Sequence, residues 1–580
     1  MKQSTRRWSA LAAIAVSVLV VGLDLTVLSL ALPTIASTMH ATTGDLQWIA
    51  DSYSLVIAAL ILPAGLLGDR YGRKKVLLAA LVVFVACSVW CAYSVSIGEL
   101  IAARAMLGVG AAAVFPMALS VIPVMFAEEE RQKAIAVMAG AIFLAYPIGP
   151  ILGGFLLDHF WWGSVFLINV PIVAIALVAV TFLMPESRAE KRPSLDFPGI
   201  LISSAGLTAV TYGFIKAGQD GWTDAAALAT IAAGAALLVL FVAWERAATR
   251  RGGGQPLVDL SLFRLAGFRW GTILMTFVSF ARFGLMFTAP LYFQEVRGAT
   301  PLGSGIRMLP LIGGMLVGMT AGSRLSAARK GLSGEPLPPL LNAKIAVAGG
   351  FGMMAAGLVI GAFTGLSSSM GFAALWITLT GLGLGIAMPS AMNAAVAPLT
   401  GERSGSGSAL ISAVRQVGAT IGVAVLGTVL SNGYSSQLDL GALPEPVASA
   451  VKSSVAGGVA VAKQLGSSAL LDEVRSAFIH GMDIMLWTCG GIAIASALLA
   501  LAFLPRRSGP GTEGARAVGG AGGAGATKPA RSSASSWRSW ARRRIPKGTW
   551  TFDPSSASTR PWPCWKTASR CRPSPRLREC

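Results

Sequence analysis

An all-α integral membrane protein of fourteen spans is what this sequence predicts, on three observations. Of its 580 residues, 54% are Ala, Val, Ile, Leu, Met, Phe, Trp, Tyr or Cys, a further 67 are Gly, and only 13% are charged. Soluble domains run at about 25% charged, and an apolar excess of this size cannot be hidden in a soluble core. Apolar runs of the roughly 20 residues that cross a bilayer recur along the whole chain. The basic residues between them fall in alternate loops, as cytoplasmic loops do. Together these exclude a disordered chain, a disulfide-built secreted domain and a soluble enzyme. The net charge of +20 does not point to nucleic acid, because residues 511–580 alone hold 14 Lys/Arg against three Asp/Glu.

The spans are expected at 11–32, 46–68, 76–97, 99–126, 134–157, 161–184, 197–216, 224–244, 269–293, 302–321, 341–364, 371–393, 408–430 and 481–504. The first follows Lys2, Arg6 and Arg7, like the start of a signal peptide. It is too long for such a segment's apolar core and carries Asp24 at its middle, so an uncleaved span is expected. Span two ends in Arg70, Arg73, Lys74 and Lys75, span six in Arg188, Lys191 and Arg192, and span eight in Arg246, Arg250, Arg251 and Arg264. Span ten ends in Arg324, Arg329 and Lys330, whereas loops 33–45 and 365–370 carry almost no Lys or Arg. Both termini are therefore expected in the cytoplasm, in keeping with an even number of spans.

Two regions break the pattern. Residues 431–480 form a long outer segment, Gly/Ser-rich and then Val/Ala-rich from Pro446 to Leu471, read either as an amphipathic helical hairpin on the outer surface or as a solvated loop. Residues 505–580 hold five Trp in an Arg/Ser/Pro mixture without helical period. They read as a basic, disordered cytoplasmic tail that could bind anionic lipid, or as a GC-rich wrong reading frame.

Charge inside a span is costly and marks function by default. Asp24, Asp51 and Arg104 all fall within roughly 14 Å of the outer face at 1.5 Å per residue. Burial disfavours a carboxylate's charged form, so such an acid could take a proton from outside and release it inward. A static Asp–Arg pair is the alternative. Arg282 and Arg415 are also intramembrane; Arg415 is expected either to snorkel inward or to face a cavity, and position alone gives neither a role. His40, His159 and His480 are scattered, and Cys87, Cys91, Cys489, Cys564, Cys571 and Cys580 show no metal-site spacing in a polar context, so neither metal nor cofactor is expected.

Three strings carry a resemblance. Gly65-Leu-Leu-Gly-Asp69-Arg70-Tyr-Gly72-Arg73-Lys74-Lys75 resembles the loop signature of the major facilitator superfamily. Its glycines permit a tight turn, Asp69 can sit at a helix N-terminus, and the resemblance implies charge contacts that latch an inner gate. Leu100-Ile-Ala-Ala-Arg104-Ala-Met-Leu-Gly108-Val-Gly110 is similar to that superfamily's fourth-span motif, whose Arg is implicated in proton transfer. Ala145-Tyr-Pro-Ile-Gly149-Pro150-Ile-Leu-Gly153-Gly154 resembles the fifth-span antiporter motif, with Ala145 where the family usually places Gly. Its small residues allow close helix approach and Pro150 is expected to kink the span.

Leu23-Asp24-Leu-Thr26 and Trp48-Ile-Ala-Asp51-Ser-Tyr53 narrow the resemblance to the fourteen-span drug:proton antiporters, most like exporters of quaternary ammonium compounds and dyes. Leu291-Tyr-Phe-Gln294 and Arg415-Gln416-Val-Gly418 continue it. It implies two six-helix halves, 1–196 and 269–504, with two central helices and a linker inserted at 197–268. It also implies that Asp24 binds drug or proton and that Asp51 is a second protonation or recognition carboxylate. Trp48 and Tyr53 would either face a cation or anchor the bilayer.

Spans ten and thirteen lack the acids of dication exporters, having Leu311-Ile-Gly-Gly314 and Leu410-Ile-Ser412, and the second gate motif is reduced to Gly322-Ser-Arg324-Leu. Monovalent or neutral lipophilic cargo is therefore favoured over dications. The expected function is proton-driven export of lipophilic cations by a monomer in the cytoplasmic membrane, with protons, such drugs and lipid as its partners and no nucleic acid. Dedicated export of an endogenous metabolite or antibiotic is the alternative, and a proton symporter fits less well. An enzyme is not expected, for want of a catalytic cluster, and no GxxxxGK[ST] string suggests ATP drive.

Overall fold

The computed structural model describes residues 3–188, 196–221, 223–251, 260–326, 329–330, 336–337, 343–399, 404–441 and 443–505. The expected tail at 505–580 lies outside them from residue 506 onward, as do Lys191 and Arg192 of the loop after span six. The chain begins with α1 (Gln3–Met39), α2 (Thr43–Tyr71), α3 (Arg73–Ala92), α4 (Ile97–Met125) and α5 (Glu128–His159). The sixth span is split into α6 (Ser164–Leu167) and α7 (Asn169–Leu183), and α8 (Phe197–Asp220) and α9 (Ala225–Arg251) are the central pair. The second half holds α10 (Ala266–Leu291), α11 (Pro301–Arg307), α12 (Leu309–Ser326), α13 (Ala343–Gly361) and α14 (Met370–Val396). It closes with α15 (Ser404–Ser436), α16 (Glu445–Ser453), α17 (Val455–Gln464) and α18 (Ser468–Phe503). A two-residue antiparallel strand pair, Arg329–Lys330 with Pro336–Leu337, lies between α12 and α13.

Among the described residues, twelve helices are long and apolar enough to cross a membrane, and thirteen if the bent pair Thr43–Ile61 and Pro63–Tyr71 is one span. The count of fourteen is thus not reached by length and apolarity alone. The expected fifth span falls on α5, a single 32-residue helix that runs unbroken through Pro147 and Pro150. A 52° bend lies at Pro63 of α2, where proline removes a helical hydrogen bond and crowds the preceding turn.

Local chemistry sets the helix ends. Thr42 and Asp45 cap α2 reciprocally: the Asp45 amide donates to Thr42 Oγ1 at 3.2 Å and the Thr42 amide donates to Asp45 Oδ2 at 2.9 Å. Ser96 and Ser369 cap α4 and α14 in the same side-chain-to-backbone manner. Between α2 and α3 the chain turns at Gly72 with φ +115°, a backbone region that L side chains rarely adopt.

Two bundles result. α1 packs on α5 and α7, and α4 on α2 and α3; in the second half α14 packs on α12 and α13, and α15 on α10 and α18. The halves meet where α2 touches α15, α5 touches α11 and α1 touches α10. α8 lies over the α2–α15 seam, while α9 contacts mainly α8. Exposed Phe182, Leu201 and Val239 are what a lipid-facing belt requires.

One hydrogen bond between the halves, from Arg282 to Tyr146, lies at the level of the cavity, and several more lie at the end of the bundle away from the N-terminus. There Gln47 Nε2 donates to Ala424 O at 3.1 Å and Gln294 Nε2 donates to Leu30 O at 3.0 Å. The segment 431–480 adopts the first of its two expected forms, a helical hairpin of α16 and α17 at this same far end. Tyr434 Oη donates to Val451 O at 2.8 Å and Thr43 Oγ1 donates to Ser453 O at 3.1 Å, tying the hairpin to α15 and to the start of α2.

Candidate functional site

A central cavity of about 150 Å³ lies between the halves. Its walls follow helical period. Val18, Val21, Gly22, Leu25, Leu28, Ser29 and Leu32 form one stripe of α1, and Ala50, Ser54, Ile57 and Ile61 one stripe of α2. Phe115, Tyr146, Arg282, Phe283, Arg415 and Gln416 complete the chemically distinctive lining, together with Arg104. Among the described residues, three arginines and no carboxylate line it.

Beside the cavity α1 and α4 bring two of the expected charges together. Arg104 Nη1 lies 2.5 Å from Asp24 Oδ2, and both side chains are buried. Arg104 Nε donates to Ile49 O at 3.3 Å, and its guanidinium stacks 4.4 Å from the centre of the Tyr53 ring. The other carboxylate oxygen of Asp24 accepts from Asn169 Nδ2 at 3.2 Å, and that amide also reaches Ser88 Oγ at 3.3 Å. Four helices, α1, α3, α4 and α7, thus converge on one buried acid. A pair so placed is neutral as a unit, and removing one member leaves a bare charge.

The remaining expected residues are placed differently, and each departure has a geometric reason. Asp24 is absent from the α1 cavity stripe because it faces α4 and α7, so it is not positioned to touch cargo in this state. Asp51 and Tyr53 are two residues apart and therefore lie on opposite faces of α2. Tyr53 turns into the first half beneath Arg104, fully buried. Asp51 lies one turn from Gln47 on the face that meets α15, is 1% exposed, and neither of its oxygens has a hydrogen-bond partner. Trp48 meets the ring of Tyr212 on α8 at 6.0 Å. None of Trp48, Asp51 and Tyr53 lines the cavity, so the expected aromatic and acidic cradle for a cation is not its wall.

The gate motif forms its charge pair, but within one half. Arg73 Nε and Nη2 donate to Asp69 Oδ1 at 3.0 and 2.8 Å, and Nη1 donates to Ser120 O at 2.8 Å. Gly72 turns the chain so that the Lys74 amide donates to Glu186 Oε1 at 3.2 Å and Lys74 Nζ donates to Thr181 O at 2.6 Å. Arg70 lies 5.6 Å from the Tyr71 ring, and a Cβ added at Gly65 would meet Pro116 only at ordinary contact distance, so close packing does not demand glycine there. The motif therefore ties α2 and α3 to α4 and the end of α7 rather than bridging the two halves.

The antiporter motif closes the far end. A Cβ on Gly149 would fall 2.7 Å from Thr26 Cβ, one on Gly153 2.9 Å from Val27 Cγ1, and one on Gly154 2.5 Å from Leu302 Cα. Gly305 of α11 packs on Pro150 O with as little room. Overpacking costs about 1–3 kcal/mol, enough to move a closed–open equilibrium by roughly 5–150-fold. Gly154→Leu, at the contact with Leu302 of α11, is thus expected to hold this seam open. Hydrogen–deuterium exchange at the far ends of α5 and α11 should rise by that order, and unchanged exchange would show that the seam tolerates the side chain.

Sequence reasoning missed Asn169, Tyr146 and Glu186. Asn169 carried a usable signal, a lone amide within an apolar run. Tyr146, inside the antiporter motif, accepts a hydrogen bond from Arg282 Nη1 across the halves at 2.9 Å. Arg415 takes the second of its two expected positions, facing the cavity.

Residues 14–423 match the family model described as the Major Facilitator Superfamily. The chain is 32% identical over 508 residues to the tetracenomycin C resistance and export protein of Streptomyces glaucescens, covering 86% of this chain and 91% of that protein. It is 35% identical over 506 residues to the multidrug efflux pump LfrA of Mycolicibacterium smegmatis, covering 86% and 95%. Among solved structures, a bacterial homologue of the human lysosomal transporter Spinster matches with a TM-score of 0.60 at 17% identity, covering 86% and 96%; this shows the fold.

Proposed function

The chain belongs to the Major Facilitator Superfamily, and from that premise we propose that it is a proton-driven antiporter exporting lipophilic drugs across the cytoplasmic membrane. Both termini would be cytoplasmic, which makes the hydrogen-bonded far end the outer gate and places the cavity on the inward path. It would work as a monomer in lipid, with protons and small lipophilic molecules as its partners and no nucleic acid.

The observation that carries the reading is the buried Asp24–Arg104 pair, held by Asn169 beside a cavity between two halves that are tied together at one end. Protonating Asp24 would dissolve the ion pair and release Arg104; discharging it would restore the pair. A buried group with two such arrangements couples a proton to a rocking motion of the halves. The named roles of the two relatives, multidrug efflux and antibiotic export, support an export direction. The tetracenomycin exporter also favours a second reading, export of one endogenous antibiotic by the same cycle. The family resemblance implies a cationic cargo, whereas the cavity wall argues for another charge.

Reconstituted protein in liposomes with an imposed pH gradient tests the export reading, with ethidium and a neutral anthraquinone as cargo. Wild type is expected to move at least one of them uphill. Asp24→Asn is expected to lose gradient-driven movement by about tenfold or more, the scale of one removed transition between states, while still exchanging cargo across the membrane without a gradient. Full uphill transport by Asp24→Asn would remove Asp24 from the coupling step.

A further inference from the structure

The charge on the cavity wall identifies a cargo class. Arg104 is neutralised by Asp24, but Arg282 and Arg415 make no ion pair among the described residues, and no acid lines the cavity with them. Arg282 is 8% exposed and is held in place: it donates to Tyr146 Oη at 2.9 Å and stacks 4.1 Å from the Phe283 ring centre. One residue from Arg415, Gln416 is 9% exposed, and its amide nitrogen has no hydrogen-bond partner. Guanidinium groups have donors only, so this wall presents donors with few acceptors to meet them.

Two positive charges facing one low-dielectric cavity repel each other and are costly inside a membrane. A ligand anion would relieve both, through the short charge-assisted bonds that guanidinium makes with carboxylate. Phe283 and Tyr146 beside the cations supply flat apolar contact for a ring. We infer that the cavity takes an aromatic organic anion, a carboxylate or acidic phenol, with its charged group held by Arg282, Arg415 and Gln416. This rests on the export reading and reverses the cargo charge that the family resemblance implies. It also fixes the electrical balance: exporting a monoanion against one proton moves two charges inward per cycle, whereas exporting a monocation against one proton moves none.

The test uses the full chain in phosphatidylcholine nanodiscs and three probes that share a ring system: naphthoate, its neutral amide and naphthylmethyl-trimethylammonium. Naphthoate is expected to bind about tenfold or more tighter than either of the others. Arg282→Gln and Arg415→Gln should each weaken naphthoate by about tenfold or more, the effect of losing a hydrogen bond to a charged group, with little change for the amide. Arg415→Lys, which keeps the charge, should retain the preference and guards against misfolding of the Gln variants. In liposomes, an inside-negative potential should accelerate naphthoate export. Cation binding as tight as naphthoate binding, no naphthoate binding, or equal loss of all three probes in the variants would overturn the inference even if the liposomes export ethidium. Conversely, naphthoate that binds as expected but is never moved by a gradient leaves the anion site standing and defeats the export reading.

Discussion

Arg104→Met should destabilise the protein by about 3–5 kcal/mol, the usual result of stripping one partner from a buried ion pair. The environment of the remaining acid argues for the upper part of that range. Asp24 is 2% exposed, and without Arg104 its one hydrogen-bonding side chain among the described residues would be Asn169. Met keeps an apolar stem of similar length but loses the guanidinium's contacts with the Tyr53 and Phe166 rings, so the loss reports the charged head more than the stem. With about 500 residues in the membrane bundle, the unfolding entropy makes 1 kcal/mol worth about 1 °C, so the melting midpoint in detergent should fall by roughly 4 °C. Adding Asp24→Asn to Arg104→Met should restore much of this, because it removes the stranded charge. A double variant no more stable than Arg104→Met would mean that the pair is not the source of the loss.

What the sequence made legible follows from how strongly each signal departs from its surroundings. Asp24 and Arg104 stand out because charge is rare in apolar runs, and the structure joins them. The gate and antiporter strings were legible because a left-handed turn at Gly72, the Thr26 side chain against Gly149 and backbone contact at Gly154 leave few residues that fit. The hairpin α16–α17 stayed open between two readings because a Val/Ala-rich stretch suits helix and loop packing alike. The cavity wall was the weakest point, since it depends on which helix faces meet. Even so, helical period was available in the sequence: the two-residue step from Asp51 to Tyr53 already forbids both from lining one cavity. Tyr146 acquires its meaning only when α5 and α10 approach, and no spacing along either helix records that.

Asp51→Asn should have the opposite profile to Arg104→Met: transport lost, stability kept. The side chain is 1% exposed and its two oxygens lack partners, on the α2 face that meets α15. An unpaired carboxylate in such a place costs several kcal/mol, so while the seam is shut the neutral acid is the form that fits. Asparagine has nearly the same shape and no charge and leaves its polar atoms as unpartnered as the neutral acid does, so the closed state should accept it at a cost below about 2 kcal/mol. When α2 and α15 part, the acid meets water and can ionise, whereas the amide cannot. The variant should therefore lose about tenfold or more of its gradient-driven transport, along with the dependence of transport rate on external pH, while gradient-free exchange persists. Asp51→Glu should restore both, because it returns a titrating group to the seam. Undiminished uphill transport by Asp51→Asn would leave coupling to Asp24 alone. A loss of more than about 2 kcal/mol of stability would instead reveal that Asp51 is a charged, structural member of the closed seam.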